Sequence, residues 1–339
     1  MKKVLIIGGG GFVGKAIVRL LRARDIECLV AGRHLYPEVQ ALGAICCQGD
    51  IRDRDFMAAC CRGVDTVFHV AALAGIWGSW RDYHAINVLG TENVLAGCRA
   101  AGVSRLIYTS TPSVVFNQHS ICNGDEDLPY ADHFLCHYAR SKVMAERLIL
   151  AASNKDLRTC AIRPHLIWGP GDPHLIPRLI ARGRAGRLRQ VGAGENLVDI
   201  SYIDNVAHAH LLAADNLAGA ATAAGRAYFI SQGESVNLWK WIGELFSRLD
   251  IAPVRVKISY PMAYGMGALL EGAYGLARCR QEPPMTRFLA QQLAKSHYFS
   301  IARARDDLGY QPLVSTAEGM ERLLASLVTA QVNRLKAED

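Results

Sequence analysis

Apolar residues in the first half of the chain fall in short runs, at 4–7, 28–31, 44–47, 66–70, 106–109 and 159–162. Each is long enough for a buried strand and too short for a helix. Between them the spacing changes to helical, most plainly at 87–101 and 138–152. Strands alternating with helices on this scale predict a parallel sheet covered by helices on both faces, the α/β doubly wound class. No internal repeat or low-complexity segment interrupts the alternation.

The first run feeds directly into Gly8-Gly-Gly-Gly11-Phe-Val-Gly14, and helical apolar spacing follows at Phe12, Val13, Ile17, Val18, Leu20 and Leu21. A strand, a glycine turn and a helix in that order form the context of a dinucleotide site, in a Rossmann-type sheet. Gly8 permits the sharp turn, Gly11 lets the backbone approach a pyrophosphate, and Gly14 lets helix and strand pack closely. Phe12 and Val13 open the helix, whose N-terminal N–H groups and dipole favour an anion. The first interval is one residue longer than in GxGxxG, the variant of short-chain dehydrogenases.

The second strand ends at Ala31-Gly32-Arg33-His34, where an NAD-preferring fold carries an acid for the ribose hydroxyls. Arg33 suits a 2′-phosphate instead, through charge-assisted bonds. NADP(H) is therefore favoured over NAD(H), although an exposed loop arginine is the plainer reading of Arg33. Asp50 and Ile51 follow the third strand and are placed at the adenine. Ala71 and Ala72 follow the fourth, small enough for backbone to lie against the cofactor. His69 is either a core histidine or part of that wall. Asn87, on a helix behind the sheet, is read as a brace for a neighbouring strand. The apolar loop 73–80 either lines a pocket for a greasy substrate or is a plain hydrophobic loop.

The fifth strand ends in Thr109-Ser-Thr-Pro-Ser113, hydroxyls at the carboxyl end of the sheet, where ligands bind in such folds. Further on, Tyr138-Ala-Arg-Ser-Lys142 places a phenol and an amine four apart, on one helix face. A free tyrosine is a poor acid or base at neutral pH. A neighbouring ammonium favours the phenolate and brings the group toward its working range.

With the glycine turn, the Thr-Ser-Thr strand and Tyr-x-x-x-Lys at these distances, the chain resembles the extended short-chain dehydrogenase/reductase superfamily over nearly its whole length. The resemblance implies that Tyr138 is the acid/base and that Lys142 binds the nicotinamide ribose and tunes Tyr138. It puts the catalytic hydroxyl on Thr111, with Ser110 the lesser candidate, and carries Arg163-Pro164 close to the nicotinamide. It implies a dinucleotide-binding domain at 1–170, with 197–230 returning to it, and a smaller, mostly C-terminal substrate-binding part at 171–196 and 231–339.

The segment from Arg163 to His210 is most like the 3β-hydroxysteroid dehydrogenase branch, through Pro164-His165, Trp168-Gly-Pro-Gly-Asp-Pro-His-Leu-Ile-Pro177 and Asn196-Leu-Val-Asp199. Sterol-4α-carboxylate 3-dehydrogenases share these segments. So do bacterial reductases that convert 2-alkyl-3-oxoalkanoic acids to 3-hydroxy acids in long-chain olefin biosynthesis. The stretches from Arg33 to Pro37, Ala74 to Gly78 and Glu282 to Ala290 look more like those reductases. The resemblance thus implies NADPH-driven reduction of a lipophilic 3-oxo acid, with oxidation of a 3β-hydroxy sterol as the rival. A nucleotide-sugar epimerase or dehydratase is disfavoured by the apolar 258–281 region, and a non-catalytic nicotinamide sensor by the intact Tyr/Lys pair.

Composition adds limits. The 339 residues are half apolar and one-fifth charged, ordinary for a globular protein with an ample core. No apolar run reaches the ~20 residues of a spanning helix, and only four apolar residues follow Met-Lys-Lys, so a cytoplasmic protein is expected. The ten cysteines show no metal or redox spacing and read as reduced, mostly buried hydrophobes. No metal is expected. The formal charge of +7 is densest at Arg178, Arg182, Arg184, Arg187 and Arg189, a solvated helix face lacking any nucleic-acid motif. The region 258–281 reads either as a core-facing helix, which is preferred, or as an amphipathic lid touching a membrane surface. A lipophilic small-molecule substrate and a homo-oligomer or lipid-pathway assembly complete the expected partners.

Overall fold

The computed structural model describes residues 1–338. Seven strands form its main sheet: β1 (Lys3–Ile7), β2 (Glu27–Gly32), β3 (Ile45–Gln48), β4 (Thr66–His69), β5 (Arg105–Thr109), β6 (Arg158–Pro164) and β7 (Arg226–Ile230). Their spatial order is β7-β6-β5-β4-β1-β2-β3, every neighbouring pair parallel. This is the doubly wound arrangement expected from the alternation of patterns. It reverses direction at β1, where the glycine turn opens.

Central parallel strands are covered on both faces, which is why β1 is apolar from Val4 to Ile7. Val4 and Ile6 enter one core with Ile17, Val30, Phe68 and Val206. Leu5 and Ile7 enter the other with Met57, Leu95, Tyr108 and Ile149. The side chains of Val4, Leu5, Ile6 and Ile7 are buried, each worth about 1.5–3 kcal/mol relative to exposure.

Helices α1 (Phe12–Arg22) and α4 (Ile203–Ala218) cover the first face, while α2 (Gly90–Ala101) and α3 (His137–Ala151) cover the second. A one-turn helix at Trp80–Tyr83 and a π-helical segment at His84–Leu89 run straight into α2. The chain there coils more widely than a plain α-helix, and Asn87 sits in the widened segment.

A second sheet of four short strands runs Val236–Asn237, Leu197–Val198, His297–Phe299, Ile121–Gly124. It draws Ile121–Gly124 from between β5 and α3, so residues from within 1–170 pair with the C-terminal region. Helix α5 (Tyr260–Leu276) and the helix Arg287–Ala294 lie next to it in sequence. Of the ten cysteines, six are buried, three are partly buried and Cys122 is exposed; all are free thiols.

Candidate active site

A crevice of about 530 Å³ crosses the carboxyl ends of the main sheet. One end is lined by Gly32, Arg33, Tyr36, Asp50 and Ile51, and the middle by Gly8, Gly11, Phe12, Val13, Ala71 and Ala72. The far end is lined by Thr109, Ser110, Thr111, Tyr138, Lys142 and Pro164, joined by Leu166, Ile167, Asp172 and His174.

The glycine turn makes the middle of the crevice. Gly8 has φ +85°, and a Cβ on it would fall 2.8 Å from the Ala71 backbone. The two strand ends therefore approach as only glycine allows. Val70 and Ala71 both donate their N–H groups to the Ile7 carbonyl, 3.0 and 2.8 Å away. Gly14 does not line the crevice; it sits against the Gly8 carbonyl, where a Cβ would collide, and so seats α1 on the turn. The cradle thus leaves room for a pyrophosphate beside the start of α1.

At the end of the crevice beside β2 and β3, the charged lining residues are Arg33 and Asp50. Asp50 lines the crevice, but its carboxylate is forked by the Arg52 guanidinium at 2.9 and 2.6 Å. That hydrogen bond holds the carboxyl below its usual range. The carboxylate expected at the adenine is therefore already engaged in an internal ion pair.

At the other end the Tyr138 phenol stands with Thr111. Protein crowded around Tyr138 desolvates it and pushes its pKa up to about 12, opposed by a hydrogen bond with Thr111. Thr111 also accepts from the Ser113 N–H at 3.2 Å. Ser110 is turned differently: its N–H donates to the Ile162 carbonyl at 2.6 Å, and its buried hydroxyl meets no protein partner. The Thr111 hydroxyl also donates to Ser113 Oγ at 3.2 Å, and like Tyr138 it lines this end of the crevice.

Lys142 is buried, and its Nζ donates to the Thr109 carbonyl at 2.6 Å and lies 4.1 Å from the centre of the Tyr108 ring. Burial brings the amine down to about 7, with Glu146 pulling the other way. The ammonium is positioned by a strand-end carbonyl and an aromatic face, an anchorage that no local pattern announces.

Arg163 is not brought to the crevice. Its guanidinium faces α3, where Nε reaches both Glu146 oxygens at 3.2 and 3.1 Å and Nη2 reaches Oε1 at 2.5 Å. The Tyr130 hydroxyl donates to the same oxygen at 2.8 Å. Successive residues of a strand face opposite ways, so Pro164 lines the crevice and Arg163 does not.

His69 belongs to the core. Thr91 donates to the Asn87 carbonyl at 2.7 Å, so His69 Nε2–H donates to Thr91 Oγ1 at 2.9 Å. Burial depresses this imidazole to about 3, leaving it neutral. Asn87 braces the loop after β4 by accepting from the Leu73 N–H at 2.7 Å and donating to the Leu73 carbonyl at 3.1 Å. It also donates to Ser141 at 2.9 Å, and Ser141 donates to the Tyr138 carbonyl at 2.8 Å. The crevice wall and α3 are thereby one hydrogen-bonded unit.

Sequence reasoning missed Tyr36, Leu166, Ile167, Asp172 and His174 as lining residues. Leu166 sits at φ +40°, an unusual conformation for a leucine, which turns the chain from β6 into the crevice rim. Asp172 accepts the N–H groups of His174, Leu175 and Ile176 and starts the next helix there. The buried His165 donates to His297 at 2.6 Å, while His297 Nε2–H donates to the Gln292 carbonyl at 2.9 Å, tying β6 to the second sheet.

A doubly wound sheet, a dinucleotide cradle and a Thr–Tyr–Lys set at its far end define an oxidoreductase of the short-chain dehydrogenase/reductase type. Residues 5–261 match the 3-beta hydroxysteroid dehydrogenase/isomerase family, and the chain belongs to that family. It is 48% identical to a 2-alkyl-3-oxoalkanoate reductase of Stenotrophomonas maltophilia, across 96% of this chain and 99% of that one. It is 36% identical to the decarboxylating sterol-4-alpha-carboxylate 3-dehydrogenase of Mus musculus, across 96% and 91%. Among solved structures, gox2253 superposes with a TM-score of 0.80 at 26% identity, covering 97% of this chain and 99% of that chain.

Proposed function

We propose that the protein reduces the 3-keto group of a lipophilic 2-alkyl-3-oxo acid to the 3-hydroxy acid with NADPH. The observation that carries the reading is that Thr111, Tyr138 and the buried Lys142 line the same end of the crevice, across from the glycine cradle. When bound, the dinucleotide supplies the hydride. Gly8, Gly11, Phe12 and Val13 would hold its pyrophosphate, Ala71 and Ala72 its flank, and Arg33 its 2′-phosphate.

The Thr111 hydroxyl orients the substrate carbonyl. Tyr138, raised to about 12, keeps its proton at neutral pH and has one to give to the oxygen as it becomes an alkoxide. Lys142, where charged, makes that phenol a stronger acid. A protonated phenol suits reduction, and so does the 48% identical relative named as a 2-alkyl-3-oxoalkanoate reductase.

The second reading is oxidation of a 3β-hydroxy sterol acid with loss of its carboxylate, supported by the 36% identical sterol dehydrogenase. It uses the same three side chains in reverse. Purified protein given NADPH or NADH, with a long-chain 2-alkyl-3-oxo acid or a 4-carboxysterol, separates the two. Turnover of the oxo acid with NADPH, weakened by Arg33→Ala far more than turnover with NADH, is expected. Turnover of the sterol alone, with NAD, overturns the proposal.

A further inference from the structure

Helix α5 is apolar on both sides. Its inward side carries Ala263, Gly267, Leu270 and Tyr274, and the first two are fully buried. Its outward side carries Met262, Met266, Leu269 and Leu276, with 63, 39, 77 and 91% of their surface exposed. At 100° per residue these four fall within one narrow stripe. The core-facing reading of 258–281 therefore holds for only half of the helix. A helix apolar all round normally has all of its faces covered.

Charge around the stripe has one sign. Arg255 and Lys257 precede α5 and Arg278 and Arg280 follow it, all four exposed. The two acids between positions 255 and 282 are engaged with arginines: Glu271 holds Arg287 at 2.6 Å and Glu282 holds Arg178 at 2.8 Å. The end of α5 also connects to the crevice. The Trp77 indole donates to the Cys279 carbonyl at 3.0 Å and packs edge-on against Tyr274. Trp77 lies three residues beyond Ala74, which with Leu73 lines the crevice wall.

We propose that the outer face of α5 docks on an anionic lipid surface, lying along it, with Met262, Met266, Leu269 and Leu276 among the acyl chains and the four cations at the headgroups. Among the described residues no helix is long and apolar enough to cross a membrane, so contact is at the interface. An amphipathic stripe with basic flanks binds in this way, through apolar burial and electrostatic attraction together. The Trp77 contact places the docked face beside the loop that walls the active site.

The test is co-sedimentation of the full-length protein with phosphatidylglycerol vesicles or phosphatidylcholine vesicles. Binding to the anionic vesicles, stronger by about tenfold or more and weakened by added salt, is expected. Met262→Glu/Leu269→Glu should abolish it and Arg278→Glu/Arg280→Glu should weaken it, both leaving turnover of a short water-soluble substrate unchanged. Sedimentation needs no turnover, so it stands apart from the assay of the proposed reaction. Wild-type protein left in the supernatant overturns the proposal. So does light scattering that shows Met262→Glu/Leu269→Glu converting a dimer to a monomer without any vesicle binding by the parent, which would make the stripe a contact between copies.

Discussion

Arg163 and Glu146 form a forked, buried ion pair one turn along α3 from Lys142. Removing one partner of such a pair strands the other charge. Glu146→Leu should therefore destabilise the fold by about 3–5 kcal/mol, read by urea denaturation, whereas Arg163→Met/Glu146→Leu should recover most of the loss. Equal losses in the single and double variants would show that the pair is not what the site requires.

Thr111 and Tyr138, at the same end of the crevice, predict a graded series. Tyr138→Phe should lower turnover by about 10²–10⁴-fold while NADPH binding, followed by cofactor fluorescence, persists. Thr111→Ser should keep most of the activity and Thr111→Val should lose it, since only the former retains a hydroxyl. If Thr111→Val is as active as Thr111→Ser, the role passes to Ser110.

Lys142 sets a pH dependence. The ammonium is present below about 7 and lost above it. Reduction measured as kcat/KM, which reports the free enzyme, should fall as pH rises through that value, and Lys142→Met should be slow with no such step. The folded chain also binds fewer protons here than the unfolded chain between about 7 and 10.5. Stability should therefore rise over that window, and less so in Lys142→Met. A wild-type profile that is flat from pH 6 to 8, all within the assay range, would remove Lys142 from the proton chemistry.

Asp199 behaves in the opposite sense. Burial raises its carboxyl to about 7, against hydrogen bonds from the Phe299 N–H, at 2.7 Å, and Ser231. Folding then takes up a proton between the unfolded value near 3.8 and about 7, and the stability this contributes is lost as pH rises through that window. Asp199→Asn keeps an acceptor for Phe299 and removes the titration. Its melting temperature relative to wild type should increase from acid pH to pH 8. A constant difference across that range would refute this.

The parts whose placement was legible in the sequence are those whose geometry is local. The β1 run, the turn Gly8–Gly14 and the i, i+4 pair Tyr138 and Lys142 each need only neighbours to make sense. Arg163 was misplaced although the alternation of strand faces was available, because its neighbour Pro164 does line the crevice. Leu166 and His174 reach the rim only through a left-handed leucine and an aspartate-capped turn, which periodicity does not reveal. The short strands of the second sheet are too brief to show alternation, and Ile121–Gly124 pairs with residues about 175 positions away. Helix α5 was ambiguous for a different reason: two apolar faces do not say which one is covered.

That long-range pairing also orders the protein's assembly. A nascent chain that has reached Ile230 holds all seven strands of the main sheet and the complete glycine cradle. Ile121–Gly124 nevertheless gains its neighbour, and His165 its partner His297, only when His297–Phe299 has left the ribosome. The lining of the crevice, which runs from Ile7 to His174, can thus be in place during synthesis, while the second sheet that backs it is completed last.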